Sequence, residues 1–332
     1  MKYFPLLIIV ALGFLVGSCN QPGKQKSAQQ DSTAVKTVAV PVFNEDTALE
    51  SARVQLAFGP RVPNTSAHEQ CAVYLIDKIK AYTKDVVVQK GKVQAYNGTT
   101  LNFQNIIASW KPATNNRILL CAHWDSRPWA DHDPDPKKRQ KPVDAANDGA
   151  AGVGILMEVA RQLSIANPPI GVDIIFFDVE DYGPQQDVKV ENSDQYWGQG
   201  AQYWAMNPHK SDYYAKYGIL LDMVGAKNAT FLMEGQSMEY APDVVRSVWS
   251  TANRIGYSSY FLFEQGGYIT DDHVPLNKIR HIPTIDMIHL VKNSENGFYP
   301  YWHTTGDTFD KIDKSTLKVV GQTLLTVIFE EK

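Results

Sequence analysis

A single α/β domain is the fold class the sequence predicts: a mixed, mostly parallel twisted sheet with helices on both faces. Strand-like and helix-like patterns alternate from about Asp46 to the end of the chain, as in a layered α/β fold. Two of the strand-like runs, Ile118–Cys121 and Ile174–Phe177, are apolar throughout, as central strands covered on both faces should be. Neither an internal repeat nor a second linker divides this region. The length of 332 residues would allow two domains, but a large α/β enzyme can hold that length in one.

Taken in chain order, apolar residues at helical spacing (Ala67, Cys71, Tyr74, Leu75) predict a helix over Ser66–Tyr82. Runs rich in β-branched residues predict strands at Val86–Val88, Asn105–Trp110 and Arg117–His123. A helix over Ala150–Leu163 follows. Its Gly152 and Gly154 lack the third glycine of a dinucleotide-binding loop and read as helix–sheet packing. Next come a strand at Val172–Asp178, a helix at Gln199–Ala205, and strands at Gly218–Val224 and Ala229–Met233. A helix over Ala241–Ile255, a strand at Thr284–Leu290 and a helix over Lys314–Glu330 complete the domain.

Composition narrows the function. Hydrophobic residues at 44% and charged residues at 20% exclude a disordered or fibrous chain. Lys+Arg 32 against Asp+Glu 36 leaves a net charge of −4, without the basic footprint that nucleic acid demands. Three cysteines cannot build a disulfide framework at this size; Cys71 and Cys121 fall in apolar patterns and read as buried thiols.

Residues 1–18 have the proportions of a signal peptide. The apolar run Leu6–Val16 falls short of the ~20 residues that a spanning helix needs. Val16-Gly17-Ser18-Cys19 resembles the lipobox of bacterial lipoproteins, which implies an acylated Cys19 and a protein tethered to a membrane in the periplasm. A plain signal peptide that happens to precede a cysteine is the alternative. Residues 19–45 are polar and without apolar period, so they read as a flexible tether ahead of a domain over 46–332.

Polar residues collect where the strands end: His123 and Asp125 after one, Asp178, Glu180 and Asp181 after another, Asp222 at a third. Open α/β sheets bind ligands beyond the carboxyl ends of their strands, so these groups are expected on one rim. The chain has no G-x-S-x-G elbow, no P-loop and no G-x-G-x-x-G. Asp131 to Pro136 is an acidic loop in which proline occupies the place where a calcium loop needs glycine. What remains is dispersed: His123-Trp124-Asp125, Asn147-Asp148-Gly149, Glu180-Asp181, Asp222, Asp271-Asp272-His273 and Trp302-His303-Thr304. Imidazole and carboxylate donors without thiolates suit zinc in a catalytic site. Singly, each has a plainer explanation: Asp148 as a helix cap, Glu180-Asp181 as a solvated turn, His303 as a surface histidine. Their joint placement at strand ends carries the catalytic reading.

In that order, H-x-D, N-D-G-A, an acidic pair after I-I-F-F-D, L-D-M-V-G and W-H-T-x-x-D-T resemble the zinc aminopeptidase superfamily. Within it the chain resembles the glutaminyl cyclases of Bacteroidetes-type bacteria, from Phe58-Gly59-Pro60-Arg61-Val62-Pro63 near the domain start to the C-terminus. The resemblance implies a zinc aminopeptidase-like fold and one zinc per chain held by Asp148, Asp181 and His303. It implies Glu180 as the acid/base, and Asp222 and Asp272 as carboxylates around the substrate amine and leaving group. Trp197 and Trp302 become pocket walls. The expected substrates are peptides or proteins with N-terminal glutamine, closed to pyroglutamate with loss of ammonia. Two positions depart from the animal enzymes: Asp181 stands in place of glutamate, and Asp286 in place of histidine. Asp286 is therefore a substrate-side candidate, with His289 as its alternative. A di-zinc aminopeptidase, with His123, Asp148 and Asp222 holding a second metal, is the rival reading, and a metal-free binding lipoprotein the third.

Overall fold

The computed structural model describes residues 39–294 and 296–332. The signal peptide and Cys19 lie outside them. The packed domain starts earlier than residue 46, which corrects the expected end of the tether. Phe43 is buried against Gly321, its N–H donates to Gln322 Oε1 at 2.9 Å, and Asn44 caps the helix that follows. That helix, α1 (Glu45–Ala57), was not anticipated from sequence. Its buried face is Ala48, Ser51, Ala52 and Gln55, which carries little apolar signal.

The main sheet has six strands in the order β1-β2-β4-β3-β5-β8. β1 (Val86–Gln94) and β2 (Thr100–Trp110) form an antiparallel hairpin, and β2 runs antiparallel to β4 (Gly171–Phe177). β3 (Arg117–His123), β4, β5 (Gly218–Asp222) and β8 (Thr284–Ile288) are parallel neighbours. The sheet is thus mixed and mostly parallel, as expected. The run at Ala229–Met233 does not join it: β6 (Phe231–Met233) pairs with β7 (Phe261–Gln265) in a separate two-stranded sheet.

Every residue of β3 and β4 is buried. Ile118, Leu120 and Ala122 join the core on one face, against α3 (Ala151–Ala166) and α8 (Lys314–Glu330). Leu119 and Cys121 turn to the other, against Ala201 and Trp204 of α4 (Gln199–Met206) and Leu276 of α7 (His273–Lys278). Fully burying one such aliphatic side chain contributes roughly 1.5–3 kcal/mol, so a strand apolar on both faces is driven to the centre of the stack. α2 (Ser66–Lys80) and α6 (Pro242–Arg254) complete the first layer, and α5 (Gly235–Tyr240) leads into α6. Gly152 and Gly154 serve close packing: a Cβ would lie 2.8 Å from the Leu221 carbonyl oxygen and 2.6 Å from that of Ala48, respectively. Cys71 and Cys121 are buried free thiols, and burial raises Cys71 to about 12. No helix among the described residues is long and apolar enough to cross a membrane.

Candidate active site

The carboxyl ends of β3, β4 and β5 deliver His123, Glu180, Asp181 and Asp222 to one rim. Asp125, of the H-x-D pattern, is a brace: its Oδ1 accepts the N–H of Glu180 at 3.0 Å and its Oδ2 that of Asp181 at 3.2 Å. Below it, Asp178 Oδ1 accepts the Val179 N–H and contacts His68 Nε2 at 2.8 Å, and His68 stacks on Trp124 with ring centroids 4.3 Å apart. Three non-glycine residues here have left-handed backbones: Val179 (φ 54), Met223 (φ 48) and His303 (φ 53). Each costs about 1–3 kcal/mol, and the surrounding hydrogen bonds and packing hold them there.

Asp148 is presented by a kinked turn over Ala146–Ala150, in which Asp148 itself (φ −88, ψ 84) and Gly149 are non-helical, rather than by an ordinary helix cap. Asp307 accepts the N–H groups of Asn147 and Asp148 at 3.0–3.1 Å, and Gly149 adopts φ 108. A Cβ on Gly149 would lie 3.0 Å from His123 Cε1, so both the conformation and the space call for glycine.

Asp148, Asp181 and His303 converge, with one donor atom from each within 4.8 Å of the others. His303 Nε2 lies 3.2 Å from Asp181 Oδ1 and 3.7 Å from Asp148 Oδ2. Donors ~2.0–2.2 Å from one tetrahedral ion lie ~3.3–3.6 Å apart, so the spacing fits a metal ion. The buried Asp148 Oδ2 and Asp181 Oδ2 also lack hydrogen-bond partners, as atoms awaiting an ion would. Burial, then Arg127, holds His303 well below its ordinary value, and so in the neutral form that ligates metals. Burial would raise Asp148, but the hydrogen bond and charge of His123 outweigh it and keep the carboxylate ionised. A second set, His123, Asp148 and Asp222, meets the same spacing, with His123 Nε2 3.1 Å from Asp148 and 3.4 Å from Asp222. These two sets, which share Asp148, therefore admit one ion or two.

Asp148, Asp181 and His303 line a cavity of about 340 Å³ with Glu180, Asp222, Asp271, Trp197, Trp302 and apolar side chains that include Ile269, Ile288 and Phe298. Trp302 stacks on His303 at 3.7 Å, and Trp197 lies nearly parallel to it at 6.1 Å. Burial raises the Glu180 carboxyl well above the usual range, and Asp271 adds to the shift. Burial likewise brings Asp222 to about 6 and Asp271 to about 7.

Two sequence expectations need correcting. Asp271, not Asp272, is on the cavity wall; Asp272 is fully buried with both carboxylate oxygens unpartnered, and it packs beside Gly198. Asp286 is also fully buried, within β8, and does not line the cavity. Its N–H donates to Ser237 Oγ, and both of its carboxylate oxygens are unpartnered. His289 is no substitute, since it packs near Tyr299 outside the cavity wall.

Arg127 escaped the sequence reading altogether. Fully buried, it makes a two-pronged contact with Asp131 at 2.7 and 2.8 Å and reaches Asp181 Oδ1 at 3.2 Å, beneath the Trp197 ring. The acidic loop after it is likewise structural: Asp133 Oδ2 accepts the Thr305 N–H and hydroxyl, and the His132 N–H donates to the His303 carbonyl, tying down the His303 segment.

Comparison with known proteins agrees with this architecture. The solved glutaminyl cyclase of Bacteroides thetaiotaomicron bound to N-acetylhistamine aligns at 49% identity and TM-score 0.87, covering 89% of this chain and 100% of that one. A Zn-dependent exopeptidase from Parabacteroides distasonis aligns at 51% identity and TM-score 0.86, covering 88% of this chain and 100% of that one. The curated glutaminyl-peptide cyclotransferase of Bothrops jararaca is 25% identical over 256 residues, covering 69% of this chain, and the chain spans 65% of that relative's length. The model of Peptidase family M28 matches residues 105–328, about two thirds of the chain. With that match over the strands and turns that build the site, the chain belongs to Peptidase family M28.

Proposed function

We propose that the protein is a zinc-dependent glutaminyl-peptide cyclotransferase, converting the N-terminal glutamine of peptides and proteins to pyroglutamate with release of ammonia. The observation that carries this reading is the enclosure of Glu180 and the donor set Asp148, Asp181 and His303 in a small, tryptophan-walled cavity. The similarity to solved glutaminyl cyclases at 44–49% identity supports it. The cavity suits a single side chain, and its aromatic walls exclude the water that would turn cyclisation into hydrolysis.

Asp148, Asp181 and His303 would hold one zinc ion, which supplies Lewis-acid polarisation of the glutamine γ-carbonyl. The cavity holds the glutamine curled, so that its α-amine faces its own γ-carbon and the attack is intramolecular. The new bond joins the α-nitrogen to the γ-carbon, and the bond to the side-chain nitrogen breaks. Glu180, whose proton affinity is raised by burial and Asp271, takes the proton from the α-amine and returns it to the departing nitrogen, which leaves as ammonia. Asp222 and Asp271 flank this path from the same cavity wall.

An aminopeptidase is the second reading, favoured by the His123, Asp148 and Asp222 donor set and by the exopeptidase relative. Incubation with a glutaminyl peptide separates the two. Cyclisation yields the pyroglutamyl peptide and ammonia, whereas free glutamine and a shortened peptide would identify the peptidase. The N-terminal segment supports a further proposal: export, acylation of Cys19, and membrane attachment of the domain in the bacterial periplasm.

A further inference from the structure

Beside the catalytic cavity lies a second, larger groove of about 620 Å³, most of whose lining has no part in the chemistry described above. The two share Trp197, Thr270 and Asp271 as a common lip, so the groove continues the cavity towards solvent. Its far wall is α7, which contributes Val274, Pro275 and the 41% exposed Ile279 just beyond the helix. Ile279 is one of the large aliphatic side chains left exposed among the described residues, and it lines the groove. Two acids, Asp194 and the Asp271 of the shared lip, and one base, Lys278, line the groove.

We propose that this groove receives the second residue of the substrate, and that Ile279 and Val274 favour a large apolar side chain there. The inference rests on the cyclotransferase reading. Glutamine held at the donor set leaves only its α-carbonyl to carry the chain outward. The lip shared with the groove offers that exit an apolar surface on which the next side chain can be buried. A glycine at the second position gains nothing from it.

The test compares Gln-Phe-Ala and Gln-Gly-Ala with the zinc-loaded protein, reading kcat/KM for cyclisation and taking their ratio. Differences in hydrophobic contact of this size are worth about tenfold or more in kcat/KM, so wild type should prefer the phenylalanine peptide by about that factor. Ile279→Asp, a change at an exposed position that the fold should accept, should collapse the preference by lowering kcat/KM for Gln-Phe-Ala about tenfold more than for Gln-Gly-Ala. Ile279→Leu should restore it. A wild-type ratio near one, or a ratio unmoved by Ile279→Asp while both peptides are still cyclised, would overturn the groove assignment alone. No cyclisation of either peptide by wild type would overturn the reaction as well.

Discussion

Replacing Arg127 with methionine should destabilise the domain and loosen its metal site together. Methionine keeps much of the side-chain bulk under Trp197 and removes the charge. The guanidinium is 1% exposed and pairs with two buried carboxylates, Asp131 and Asp181. Burial pushes Asp131 upward, yet the Arg127 hydrogen bonds and charge outweigh it and hold that group at about 2 against an ordinary 3.8. At ~1.4 kcal/mol for each tenfold change in proton affinity, this is roughly 2 kcal/mol from Asp131 alone. Asp181, which burial and Asp148 hold well above the ordinary carboxylate range, loses a hydrogen bond as well, which brings the expected loss to about 3 kcal/mol. The sign with pH follows from the depressed value. The Asp131 contribution is complete above about pH 4 and is lost as the pH falls through about 2. Urea unfolding of chelator-treated wild type and Arg127→Met, followed by tryptophan fluorescence, should show the full gap at pH 7 and a narrowing gap from pH 4 downward. Zinc affinity at pH 7 should fall about 10–100-fold, because Asp181 loses the donor that orients it. A stability gap below about 1 kcal/mol at pH 7, or one that does not narrow in acid, would refute the pairing.

Glu180→Gln keeps shape and removes proton transfer, so kcat for cyclisation should fall by ~10²–10⁴-fold with zinc content unchanged; near-normal turnover would remove Glu180 from the chemistry. Asp271→Asn should also lower kcat, by roughly tenfold or more, whereas Asp272→Asn should shift the melting temperature more than kcat; the reverse pattern would return the role to Asp272. Elemental analysis should find about one zinc per chain, lost in His303→Ala and kept in His123→Ala. A wild-type content of two, halved in His123→Ala, would favour the peptidase. Cys19→Ala should move the protein from the membrane to the soluble fraction with kcat unchanged, and continued retention would argue against the lipid anchor.

The central strands and the long helices were legible because burial imposes a period. β3 and β4 are buried at every position since both of their faces are covered, and their central runs Ile118–Cys121 and Ile174–Phe177 are apolar throughout. α1 was illegible because its contact with α3 is made by Ala48 and Ala52 against Gly154, a close backbone approach that needs small residues rather than hydrophobic ones. α7 and β7 escaped for another reason: α7 is a six-residue helix buried over most of its length, and β7 is largely exposed after Phe261, so neither shows a one-sided apolar period.

The donor chemistry was readable from sequence as well. Histidines and carboxylates placed after apolar runs must emerge at strand ends, and the residue types alone exclude thiolate sites and nucleophile elbows. Which of two chemically equal neighbours faces the cavity was not readable. Asp271 and Asp272 differ only in the backbone that carries them, and there the Asp272 N–H donates to Asp271 Oδ1 at the start of α7 while Asp272 packs inward beside Gly198. Arg127 likewise has no local signature, because its meaning lies in Asp181, 54 residues away. Sequence by itself determined the layers, the strand order of polar ends and the kinds of donor, since these follow from local burial and residue chemistry. Only the tertiary structure decided which side chains converge, because convergence depends on left-handed turns at Val179, Met223 and His303 that remote packing holds in place.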